Sequence, residues 1–161
     1  MRIPSVTLPQ ALGWTLRLAT AAALAIDAYV HADLSAKYAL NQSPGGLGQG
    51  DLFKIEAGVA SLAALLIIVR GWRLAYVFAA LVASSALAAI TISANYDIGS
   101  IGPVPDMYEP LWYPEKTLTA WAEASAVGLA VIGFVLASTI RRRPAAHHEQ
   151  HDEEPVDASV T

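Results

Sequence analysis

The sequence predicts an all-α membrane protein, an antiparallel four-helix transmembrane bundle with its N- and C-termini in the cytoplasm. Three observations carry that class. The chain has 161 residues, 55% of them hydrophobic, gathered into long runs of which 74–96 and 124–140 carry no charge. About 20 apolar residues span a bilayer as a helix, and lipid demands that every backbone group be bonded internally. Charge is also sorted along the chain. Arg2, Arg17, Arg70, Arg73, Arg141, Arg142 and Arg143 fall on one side of a four-span arrangement, and Lys37, Lys54 and Lys116 on the other. Basic residues are held on the cytoplasmic side, which puts both termini of a multi-pass membrane protein inside.

Taken in order, the first span is read over about residues 10–33. Arg17 within it is expected to snorkel to the inner surface. The span closes on "AIDAYVHADLSAKY", residues 25–38. The second runs over about 52–70, and "RGWR" at 70–73 makes a tight turn into the third, about 73–95. The fourth covers about 117–140. "NQSPGGLGQG" separates the first two, and "DIGSIGPVPDMYEPLWYP", with four prolines, the last two; no helix would hold either. Trp14 and Trp72 fall at the inner interface, Trp112 and Trp121 near the outer one, as aromatic belts do. The spans form one domain, 1–143. Residues 144–161, acidic, His-containing and short of apolar side chains, are expected to be a disordered cytoplasmic tail. A competing expectation makes the first span a signal peptide cut after Ala32, which would leave three spans and remove His31.

Several classes drop out. There is no cysteine, so no disulfide, thiolate metal site or cysteine nucleophile. The net charge of −4 belongs to the tail, which holds five acids and no Lys or Arg, whereas residues 1–143 hold ten basic and nine acidic residues. There is no phosphate loop, no nucleophile motif and no nucleic-acid signal. No catalytic residue is assigned, and an enzyme is the less favoured class.

The residues that do not fit lipid are the informative ones. Asp27 and His31 are four apart and share a helix face. Glu56 lies about one turn inside the second span and Glu123 about two turns inside the fourth. Counted inward from the outer end, Asp27, Glu56 and Glu123 come to similar depth. Ionisable groups at that depth are costly and mark a functional site or an internal pair. Three readings stay open. His31, Glu56 and Glu123 hold a divalent metal, as inward carboxylates and histidines do in helix bundles, with donors that suit Zn, Mn or Fe. Or the cluster binds a proton, an ion or a polar ligand entering from outside. Or the groups pair structurally with one another, with Lys54 or with Tyr and Asn side chains. Asp27 has a further option in a hydroxyl of the third helix, Thr91 or Ser93. In the tail, His147, His148 and His151 offer a weak chelating set against a plainly solvated one.

His31 near the outer end of the first helix, "GDLF" (50–53) opening the second, the basic turn before the third, Glu109-Pro110 in the outer loop and Glu123 in the fourth together resemble a family of small four-helix membrane proteins of actinobacteria. The resemblance covers roughly residues 11–140. It implies location and fold and supplies no reaction. It gives weight to His31, Glu109 and Glu123 over Asp27, and Glu56 stands where that pattern has a neutral polar residue. The leading expectation is a small accessory or ligand-sensing membrane protein whose polar pocket opens to the extracytoplasmic side, with His31, Glu56, Glu123, Asp27 and Glu109 around it. The alternative is a metal-binding or redox membrane protein using the same cluster. Expected partners are the lipid bilayer, and other membrane proteins or further copies of the chain.

Overall fold

The structure, a computed structural model, describes residues 8–43 and 46–140. The tail expected over 144–161 lies outside the described residues, as do the arginines at 141–143. The described residues form four helices: α1 (Leu8–Lys37), α2 (Gln49–Val69), α3 (Arg73–Asn95) and α4 (Pro114–Ile140). All four are long and apolar enough to cross a membrane. No strand is present among the described residues, only two isolated bridges in the loops.

Each boundary has a local cause. Proline suits the first helical position, where its missing N–H is needed by nothing, and α4 starts at Pro114, ahead of its expected position. At the end of α2 the chain turns left-handed at Gly71 (φ +53°), whose N–H bonds the Leu66 carbonyl at 3.2 Å. That closure is the usual glycine termination of a helix, and it leaves only Arg70, Gly71 and Trp72 before α3. The first helix runs four residues past its expected end. Its final polar residues are satisfied there: Ser35 donates to the Ala32 carbonyl at 2.7 Å, and Lys37 to Asp33 at 3.0 Å.

Packing runs round a ring, α1 against α2 and α4, and α3 against α2 and α4. The interior is built of small residues, with Ala63, Ala75, Ala79, Ala83, Ala126 and Ala130 packed around Leu24, Ile67 and Tyr76. Large apolar side chains such as Leu18, Leu65, Leu81 and Ile132 point outward. Small residues inside and large ones outside is the pattern of helices that associate in lipid, where close backbone approach drives packing. Only 17–39% of each helix's most apolar window is buried within the bundle, so the remaining apolar surface requires an apolar surround.

The two ends differ. At the loop end the α1–α2 and α3–α4 connections lace together. Leu47 N–H donates to the Pro103 carbonyl at 2.9 Å, Asn41 to the Asp106 carbonyl at 2.9 Å, and the Tyr38 and Tyr113 hydroxyls meet at 3.0 Å. Burial, and then the Tyr38 bond, push the Tyr113 phenol above its usual range. At the opposite, turn end, Gly71 packs against the Arg17 guanidinium of α1, close enough that any side chain at 71 would collide with it.

Candidate functional site

Near the loop end, in the interior, α1 and α4 bring three ionisable side chains to one point. Asp27 and His31 lie on one face of α1 because they are four residues apart. His31 Nδ1 is 2.7 Å from Asp27 Oδ1 and 3.1 Å from the Asp27 carbonyl. From α4, Thr119 Oγ1 donates to Asp27 Oδ1 at 3.3 Å. Glu123, one turn further along α4, adds the third group. Asp27 and Glu123 are completely buried and His31 is 6% exposed. One ligating atom from each of Asp27, His31 and Glu123 lies within 4.8 Å of the other two.

The cluster is under-bonded. Asp27 Oδ2, Glu56 Oε1 and both Glu123 oxygens are buried and have no hydrogen-bond partner among the described residues. Buried polar atoms are nearly always bonded, and an unbonded set asks for an explanation such as an ion. Two carboxylates alone do not satisfy each other, since both only accept. Glu56, on α2, is half-buried and lies on the cavity wall beside His31.

Beside the cluster lies a partly open cavity of about 370 Å³ beneath the α3–α4 loop. His31, Glu56 and Thr119 face it, whereas Asp27 and Glu123 stand behind them. Its other walls are mainly apolar, among them Phe53, Ala86 and Ile90. The Phe53 ring meets His31 and Tyr38 edge-on, at 5.3 Å from each, and so fixes the cavity side of the imidazole. Lys116, buried in the first turn of α4, bonds the Glu109 carbonyl and sits 5.5 Å from the Trp112 ring centre. No carboxylate among the described residues pairs with it.

Of the sequence candidates, the structure brings Asp27, His31 and Glu123 into one metal-capable group and puts Glu56 next to it at the cavity wall. The set His31, Glu56 and Glu123 is therefore not the one whose ligating atoms converge, because α1 supplies Asp27 directly against α4. Glu109 is not part of the metal-capable group but lines the same cavity, its carboxylate accepting the Leu111 N–H at 3.3 Å and its carbonyl holding Lys116. Asp27 finds its hydroxyl on α4, at Thr119. Thr91 and Ser93 instead bond carbonyls of their own helix. Thr119, Phe53 and Lys116 were not anticipated. Thr119 had a signal, since it lies one turn before Glu123 on the same face of an otherwise apolar helix.

A scan of family models, a search of curated proteins and a search of solved structures each found no match to this chain.

Proposed function

We propose that this chain is a multi-pass protein of a bacterial plasma membrane, an antiparallel bundle with both termini in the cytoplasm, that binds one divalent metal ion in its outer half through Asp27, His31 and Glu123. The observation that carries the reading is the set of buried, unbonded carboxylate oxygens around one imidazole. Charge balance supports it. Two fully buried carboxylates, Asp27 and Glu123, beside one histidine leave net negative charge in a low-dielectric interior, which costs several kcal/mol per ion. A divalent cation held by Asp27, Glu123 and a neutral His31 makes that centre electroneutral. Three donors bound to one metal at about 2.0–2.2 Å lie roughly 3.3–3.8 Å apart, so the three ligating atoms, within 4.8 Å of one another, would adjust around the ion as it binds. With no sulfur and mixed oxygen and nitrogen donors, Zn, Mn or Fe is the class.

Orientation rests on the charge sorting, with every described acid toward the loop end and the arginines toward the turn end. The likeness to the actinobacterial four-helix family is consistent with it. The cavity gives the site access, because His31 and Glu56 form its wall. A second reading has one observation of its own: a buried, unpaired Lys116 beside a largely apolar cavity suits a metal-free pocket for an amphipathic ligand, and an accessory or sensing role.

Metal analysis of the purified full-length protein separates the two. About one Zn, Mn or Fe per chain, lost in His31→Ala and in Glu123→Gln while the helical circular dichroism is kept, supports metal binding. A folded protein that stays metal-free after incubation with each of these ions overturns it and leaves the ligand pocket.

A further inference from the structure

At the turn end a second cleft, of about 680 Å³, opens between α1, α3 and α4 and has no part in the cluster above. Arg17 lies half-buried in it. Its guanidinium stands 5.0 Å from the Trp14 ring centre and packs on Gly71, and it shares the cleft with the buried Tyr76. Arg73 lines the same cleft with Trp72, and Arg70 lies 5.5 Å from the Trp72 ring centre. No carboxylate among the described residues pairs with Arg17. The nearest acid along α1 is Asp27 and along α4, counted from Gly133, is Glu123, each ten residues or about 15 Å away. All described acids lie toward the other end. A guanidinium sunk between apolar helices without a counter-charge is costly, and aromatic contact offsets only part of that.

We infer that this cleft is a binding site for the phosphate headgroup of an anionic phospholipid. Arg is the side chain that matches phosphate with paired donors, and basic pockets between membrane helices take anionic headgroups. The cleft has the right parts in the right order. Arg17 and Arg73 supply charge for the phosphate. Trp14 and Trp72 mark the interface level. Leu74 and Phe134, exposed on the outer rim of the cleft, continue into the lipid-facing surface where an acyl chain lies. Gly13 keeps the mouth open, since nothing stands within 4 Å of where its Cβ would be.

Native mass spectrometry of the full-length protein, released from detergent with equal phosphatidylglycerol and phosphatidylcholine of the same chains, tests this. The expected result is a first adduct that is predominantly phosphatidylglycerol. Each arginine charge near a membrane anion is worth about fivefold in affinity, so Arg73→Gln and Arg17→Gln should each weaken that preference by about that factor. Gly13→Leu removes no charge and improves helix propensity; it should block the adduct by filling the cleft. Equal adducts of the two lipids, or a preference unchanged in both Arg73→Gln and Gly13→Leu, overturns the site even if Arg17→Gln fails to fold.

Discussion

Gly133 on α4 offers a test of the packing on which the site depends. Its backbone faces the Tyr76 ring of α3 so closely that a Cβ there would run into three ring carbons. Tyr76 is 3% exposed and cannot swing away without disturbing the Ala79 and Ala130 layer around it. Gly133→Ala therefore combines two effects of opposite sign. Helix propensity gains about 1 kcal/mol, and overpacking costs about 1–3 kcal/mol. Gly128, on the same helix, has nothing within 4 Å of its Cβ position, so Gly128→Ala collects the propensity gain alone. The difference between the two variants isolates the overpacking, and Gly133→Ala should be less stable than Gly128→Ala by about 1–3 kcal/mol. Unfolding by SDS titration in mixed micelles, followed by tryptophan fluorescence and circular dichroism, measures it. In a Tyr76→Ala background the penalty should vanish, because the ring that the methyl meets is gone. Equal stability of the two alanine variants, or a penalty that persists without the ring, would refute the reasoning.

Three further outcomes follow from the same geometry. Replacing Thr119 by Val removes the hydroxyl that orients Asp27 while keeping the side chain's shape. Metal affinity, measured by titration calorimetry with Zn²⁺, should fall about 10–100-fold, whereas an unchanged affinity would mean that Asp27 needs no such support. The Tyr113 phenol titrates higher folded than unfolded, so its contribution to stability is fully present below the unfolded value near 10 and fades as pH rises beyond it. Tyr113→Phe should flatten that alkaline loss in an SDS titration repeated from pH 9 to 11, and an identical slope would deny the tyrosine its role. Because the chain has no cysteine, single cysteines report sidedness: Ser100→Cys should react with an impermeant maleimide on intact cells, and Thr161→Cys only after permeabilisation. The reverse pattern would sink the proposed orientation.

Helix count and approximate extent were legible in the sequence because charge-free runs of membrane length leave few alternatives. Helix ends were less so. Ser35 and Lys37 look like loop residues until one sees that they bond Ala32 and Asp33 in the last turn of α1. The Asp27–His31 pair was legible from its spacing, and Glu123 from depth counting. Which helix would face Asp27 was not, because periodicity describes each helix's faces but not its neighbours. That is why the hydroxyls weighed for Asp27 were Thr91 and Ser93 on α3 and not Thr119 on α4, and why Glu56 was grouped with His31 ahead of Asp27. The cleft at Arg17 was invisible for the same reason. A lone arginine in an apolar run reads as snorkelling, and only the convergence of Gly13, Gly71 and Arg73 on it turns it into a site.

The most direct test of the central claim is X-ray absorption at the edge of the metal bound to the purified full-length protein. The account expects one metal per chain with a single imidazole and otherwise oxygen donors at about 2.0–2.2 Å, and loss of that signal in His31→Ala with the tail intact. A spectrum showing two or more imidazoles that survives His31→Ala would put the metal on His147, His148 and His151 instead, and would contradict the site.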